Sequence, residues 1–247
     1  NILFKKYIDF TFNKANLFLC QGKAFQNFAT KKLNFSKSQA PIIPNWTANS
    51  ELLKIGKYRH FNFNNKAVKI LFIGWLEEFK GVKEILEAAY ILKNKKYSFH
   101  IYFAGDGNMM SFAKQFIIKF DLENHISLLG WVNDSEKNKL LSESNIFLLP
   151  SWNEGLPNAM IEAMSAGLAC IISKVGMIPD YAINEFNSLL VEPKNVENIV
   201  SSLEKVFKNP NFRKMLSKNA YQTAKSNFTI RHGLKLFRQE IEKLIKA

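Results

Sequence analysis

Two glutamates stand eight residues apart in the stretch SWNEGLPNAMIEAMSAG: Glu154 just ahead of a Gly-Leu-Pro-Asn turn, and Glu162 inside a run of Ala, Met and Ile. An apolar helix that carries a carboxylate where its pattern wants a hydrophobe needs a reason, because a charge on a buried face must be paired or used. Pro157 suits the first turn of a helix. The amides of Leu156, Asn158 and Ala159 would then face the crevice that both glutamates border, together with the positive end of the helix dipole. This is an anion site flanked by two carboxylates, and a nucleotide sugar satisfies both parts. Its diphosphate takes the amides, and its sugar and ribose hydroxyls donate to the carboxylates. Taken singly, either glutamate reads as solvated or paired with a nearby lysine; together in one loop and helix they read as a site.

Lys80, in GWLEEFKG, is a flexible cation beside a glycine at the start of a helix, well placed to hold phosphate, although a lone lysine usually faces solvent. AGDGN contains a G-x-G, but the third glycine of a dinucleotide fingerprint would fall at Met110, so a turn around Asp106 accounts for it. The four histidines, His60, His100, His125 and His232, show no ligand spacing. Cys20 and Cys170 lie 150 positions apart, and Cys170 in LACII reads as a small buried thiol of a strand. No metal site, disulfide or cofactor is expected; reduced thiols point to a cytoplasmic setting.

The elements that must position these residues alternate from Val68 onward. VKILFIG, SFHIYFAG, ISLLG, NIFLLP, LACIIS and SLLVE read as strands. Between them GVKEILEAAYILKNKK, NMMSFAKQFIIKF, DSEKNKLLSES (capped by Asp134 or Ser135) and PNAMIEAMSAG read as helices. Repeated strand and helix units imply an α/β fold, a doubly wound parallel sheet covered on both faces. Ligands of such sheets bind at the carboxyl ends of the strands, which are the loops holding Lys80, Asp106, Trp131 and Glu154. Residues 195 to 247 read as three closing helices. Residues 1–66 break the pattern: NLFLCQGKAF reads as a strand and turn, FATKKL as a helical fragment, and APIIPNWTANSELLKIGKYRHFNFNNK as a Pro- and Asn-rich linker. No initiator methionine or signal sequence opens the chain, and a preceding domain is expected to be missing.

The 247 residues, 47% hydrophobic, can bury a full core, and no apolar run approaches the roughly 18 residues of a membrane span. The net charge of +13 is uneven. Residues 1–66 hold 11 Lys and Arg against two acids, a net of +9, whereas residues 67–247 hold 23 against 19. The excess reads equally as a solvated surface or as attraction to anionic lipid or acidic glycan; no aromatic-rich nucleic-acid signature accompanies it.

The series ILFIGWLEEFKG, IYFAGDGN, ISLLGWV, IFLLPSWNEGLPNAMIEAMSAGLACIISKVGMIPD and NSLLVEP resembles the carboxyl-terminal domain of retaining, GT-B fold glycosyltransferases of the family 4 type (glycosyltransferase group 1). The likeness runs over roughly residues 67–230, with EGLPNAMIEAM its most specific part, and IIPNW resembles the family's linker. The resemblance implies that residues 1–66 are a remnant of the amino-terminal acceptor domain plus linker, 67–230 the nucleotide-sugar domain, and 231–247 a carboxyl-terminal helix. It implies that Glu162 binds the ribose, Glu154 the donor sugar and Lys80 the diphosphate. The turn of Gly155, Leu156, Pro157, Asn158 and Ala159 would approach sugar and phosphates through its backbone, and the backbone at Trp131 and Val132 would meet the base. Trp75 stands where the family usually places an arginine, so one cation near the diphosphate is replaced. The partners implied are a nucleotide diphosphate sugar and a saccharide or lipid-linked acceptor, in surface polysaccharide or glycoconjugate synthesis. An anionic membrane surface on the inner face of the cytoplasmic membrane is a further expected partner; nucleic acid is not. Three other readings stay open: a non-catalytic nucleotide-sugar module, a GT-B epimerase, and a nucleic-acid binder driven by the basic segment.

Overall fold

The computed structural model describes residue 7 and residues 10–12, 14–59 and 67–246. Ahead of the sheet lie α1 (Lys23–Lys32) and α2 (Ser50–Lys57). The α/β series follows: β1 (Val68–Ile73), α3 (Val82–Asn94), β2 (Phe99–Ala104), α4 (Met110–Lys119), β3 (Ile126–Gly130), α5 (Asp134–Glu143), β4 (Ile146–Leu149), α6 (Asn158–Ser165), β5 (Ala169–Ser173) and β6 (Ser188–Val191). Three helices close it: α7 (Val196–Lys208), α8 (Pro210–Asn227) and α9 (Ile230–Lys246). All six strands are parallel in the order β3-β2-β1-β4-β5-β6. The expected doubly wound sheet and the three closing helices are both present.

The strands are apolar because helices cover both faces. Every residue of β4 and β5 is buried, as is the Ile70-Leu71-Phe72 centre of β1. The chain adds β2 and β3 on one side of β1, then returns to add β4, β5 and β6 on the other. The helices after β1 and β4 therefore diverge, and a crevice opens above the carboxyl ends of these two strands.

The first quarter differs from its expected form. NLFLCQGKAF makes only a single bridge, Cys20 to Ile42, before α1 begins, and FATKKL is the end of α1. Cys20, Ala29, Leu33, Phe35 and Ala40 form a small core of their own. The expected linker contains α2, whose start is fixed by the Asn49 side chain accepting from the Leu52 amide at 2.9 Å. An N-cap hidden among Pro and Asn residues looks like linker composition. The end of that stretch, residues 60–66 with His60, lies outside the described residues. Likewise α5 is capped by Asn133, in a capping box with Glu136, and not by Asp134 or Ser135.

Just after α2, the Arg59 guanidinium donates to the carbonyls of Ala166 at 2.6 Å, Ser144 at 2.7 Å and Leu141. These carbonyls end α6 and α5, so one cation satisfies the carboxyl termini of both helices. Burial pulls its pKa down to about 10, with the neighbouring Cys170 opposing, and it stays charged at neutral pH. Gly81, before α3, has φ 76°, and a Cβ there would collide with the Pro150 carbonyl.

Both features bear on stability. Arg59→Met should cost about 2–4 kcal/mol in chemical denaturation, because three buried carbonyls lose a charged donor, and Arg59→Lys should recover only part of it. Gly81→Ala should cost at least about 1–2 kcal/mol from the left-handed backbone alone, with the Pro150 collision added, read as a lower melting temperature.

Candidate functional site

The crevice is a cleft of about 640 Å³ at the carboxyl ends of β1 and β4. Its walls carry Trp75, Lys80, Trp131, Val132, Glu154, Pro157, Asn158, Ala159 and Glu162, residues from three separate connections of the sheet, with Asp106 from a fourth. Gly155 and Leu156 do not line it. Leu156 is buried in the core, and Gly155 faces Met177 and Gln21. Pro157 is the N-cap of α6 in extended conformation, one position earlier than the first helical turn expected for it. The helix therefore begins at Asn158, and the amides of Asn158 and Ala159 find no acceptor among the described residues. They sit at the lip of the cleft, where an anion would complete them.

Both glutamates are paired with lysines. Lys80 Nζ lies 2.7 Å from Glu154 Oε1, with side chains only 18% and 9% exposed, and Ser151 Oγ donates to the same oxygen at 2.8 Å. Lys80 ends a 3-10 turn, Glu78–Lys80, whose preceding carbonyl at Phe79 accepts from the Trp152 amide at 2.7 Å. The two segments that carry the pair are thereby fastened to each other. The backbone of Glu154 is also fixed from behind: Gly176 has φ 57°, and a Cβ there would strike the Glu154 carbonyl.

Glu162 Oε1 meets Lys137 Nζ at 2.9 Å, and Lys137 also reaches Asp134 Oδ1 at 3.1 Å. Burial works against the charged Lys137, but the hydrogen bond and charge of Glu162, then those of Asp134, outweigh it and raise its pKa. This partner answers the anomaly in the apolar helix: Glu162 is tolerated on α6 because α5 brings a cation to it. Lys137 is a residue that sequence reasoning missed. The available signal was its place in the first turn of α5, directly after the GWVND loop at the same end of the sheet.

Asn45 was also missed as a participant. Its side-chain amide donates to the Leu156 carbonyl at 3.0 Å and to Asn158 Oδ1 at 2.9 Å, and its Oδ1 accepts from Gln21 at 2.5 Å. The PNW turn thus holds the very turn that starts α6. Among the described residues, no group of three His, Cys, Asp or Glu side chains could hold a metal ion, and no helix is long and apolar enough to cross a membrane.

The six-stranded parallel sheet and its covering helices match the Rossmann-like carboxyl-terminal domain of GT-B glycosyltransferases. The chain belongs to the glycosyl transferases group 1 family, whose model matches residues 57–223. An uncharacterized glycosyltransferase of Methanocaldococcus jannaschii is 27% identical over 95% of this chain and 60% of its own length. The UDP-Gal:alpha-D-GlcNAc-diphosphoundecaprenol alpha-1,3-galactosyltransferase of Escherichia coli is 32% identical over 58% of this chain and 37% of its own. The chain thus spans 60% or less of the length of these two relatives. Among solved structures, Anabaena HepE in complex with UDP superposes with a TM-score of 0.77 at 16% identity, covering 98% of this chain and 68% of that one.

The Lys137 pairing has a signature in alkali. Its folded pKa lies above the ordinary 10.5, so its contribution is complete below 10.5 and is lost as pH rises through the higher folded value. The stability difference between the parent and Lys137→Met should therefore be flat from pH 7 to 10 and shrink above it, read by denaturant titration at each pH. A difference that grows with pH would remove the ion pair.

Proposed function

We propose that the protein is a glycosyltransferase of the retaining, family 4 type, which moves a glycosyl unit from a nucleotide diphosphate sugar to a saccharide or lipid-linked acceptor. The observation that carries the reading is the cleft's arrangement: two lysine-paired carboxylates on either side of the unsatisfied amides that open α6. In this reading residues 67–230 are the donor-binding half and residues 231–247 a carboxyl-terminal helix. Residues 1–66 are the end of an acceptor domain with its linker. The E. coli relative, by its name, acts on a diphosphoundecaprenol-linked acceptor, which supports the lipid-linked class. The excess of basic residues in positions 1–66 suits attraction to the anionic membrane surface where such acceptors reside.

In the mechanism this assigns, the amides of Asn158 and Ala159 and the ammonium of Lys80 receive the donor's diphosphate. Lys80 exchanges part of its contact with Glu154 for phosphate oxygen. Glu154 then accepts from the donor sugar's hydroxyls, and Glu162 from those of the ribose. The bond from the anomeric carbon to the diphosphate breaks while the acceptor oxygen bonds to the same face of that carbon, and the acceptor's proton passes to the departing diphosphate. Electrostatic stabilisation of the developing diphosphate charge is the protein's main contribution.

Substitution of the two glutamates separates their roles. Glu162→Gln should weaken UDP and a UDP-sugar alike, because its partner is the ribose common to both. Glu154→Gln should leave UDP affinity in place but remove the extra affinity of the UDP-sugar and slow transfer, tenfold for each ~1.4 kcal/mol by which the transition state is raised. Calorimetry on this chain and turnover in the whole protein read these effects, with thermal unfolding as the folding control. If both variants bind and turn over like the parent, the assignment fails.

A further inference from the structure

A second concavity lies at the far end of α6 from the cleft. The helix begins at the lip of the cleft with Asn158, and Gly167, just past its end, lines a pocket of about 600 Å³ between α2 and α8. The two cavities share no lining residue. Five cations line the second one, Lys57, Arg59, Lys214, Lys218 and Lys225, and no Asp or Glu does. Its walls are held together closely. A Cβ on Gly56 would collide with the Ser165 carbonyl and the Tyr221 ring, so α2 meets α6 and α8 at a distance only glycine permits, and the Ser217 hydroxyl ties α8 to the Gly167 carbonyl.

Ordinary surface pairing does not account for this charge. Elsewhere in the fold Lys69, Lys95, Lys137 and Lys205 each lie 3.0 Å or less from a carboxylate. Among the described residues Lys57, Lys218 and Lys225 form no ion pair, and the 18 residues of α8 include no acid at all. Lys57 and Lys225 stand in the last turns of α2 and α8, where the helix dipole favours a cation. Lys214 and Lys218 gain nothing from it. They lie in the first half of α8 and repeat one charge at i and i+4, an arrangement that destabilises a helix. Charge gathered round a concavity against the helix's own preference is the footprint of an anionic ligand.

We propose that this pocket binds a phosphate ester, at a site separate from the donor cleft. A phosphomonoester carries about −1.5 to −2 charges at pH 7 on three acceptor oxygens, so it can engage several ammonium groups at once. Arg59, whose guanidinium is held by three carbonyls, is the rigid cation of the set, and the lysines are its flexible point charges. The cations converge on one cavity and do not track along a surface, which suits a compact ligand and not a nucleic-acid strand.

The test titrates inorganic phosphate into the isotope-labelled chain at constant ionic strength and follows backbone amide shifts. The amides of Gly56, Gly167 and Tyr221 should move and saturate, and phosphate should raise the melting temperature. In the double variant Lys218→Gln, Lys225→Gln the affinity should fall at least about tenfold, the loss of one charge-assisted contact or more, with the melting temperature of the unliganded chain unchanged. The charge-keeping pair Lys218→Arg, Lys225→Arg should retain binding. Asn158 and Ala159 report the donor cleft in the same spectra, so failure at one site is read apart from failure at the other. Flotation with phosphatidylcholine vesicles, with and without phosphatidic acid, identifies the source of the phosphate. Capture by phosphatidic acid that the glutamine variant loses places it on a lipid headgroup; phosphate binding without such capture places it on a soluble ester. Shifts that never saturate, or that saturate equally in the glutamine variant, mean an adventitious ion only and overturn the proposal.

Discussion

The guanidinium of Arg59 is the contact on which the geometry of the cleft depends. Two helices, α5 and α6, bring Lys137 and Glu162 together at one end of the sheet, and at the other end both finish on carbonyls that no further turn can satisfy. A single planar cation with several donors closes both. The helices are thus tied at their carboxyl ends while their amino-terminal turns face the cleft. That also places positive charge at the negative ends of two dipoles whose positive ends face the cleft.

Both glutamates of the cleft are paired before any ligand arrives. Glu154 has Lys80 and Glu162 has Lys137, and the Glu154 pair is nearly enclosed. Leaving either member of such a pair alone in a half-buried place would cost several kcal/mol, so neither can be removed from the fold without consequence. The pairs also hold both carboxylates in position, leaving a polar ligand to exchange partners rather than to order free side chains. The amides of Asn158 and Ala159 have no such partner among the described residues.

Much of this arrangement could be read from the chain alone, for identifiable reasons. Strands buried on both faces are continuous apolar runs, and helices between them show their period, so the doubly wound sheet followed from βαβ handedness. The EGLPNAMIEAM stretch exposed Glu162 because a charge interrupts an otherwise apolar helix. What stayed hidden depended on pairing across the fold. Lys137 is one lysine among many in a polar helix, and only its distance to Glu162 sets it apart. Asn45 and Arg59 sit in a segment whose composition reads as linker, although its residues end helices and hold turns more than a hundred positions away. Gly155 and Leu156 show the reverse: a motif marks a stretch of backbone, but which of its residues line the cleft is decided by the path of the turn.

Asn45 also couples two parts of the molecule mechanically. Its amide is clamped between the Leu156 carbonyl and Asn158 on one side and Gln21 on the other, in a segment that Tyr181 grips again by donating to the Gln21 carbonyl at 2.9 Å. The segment ahead of α2 and the turn that begins α6 are therefore joined through a single side-chain amide, and the lip of the cleft is anchored to a part of the chain that lies outside the sheet.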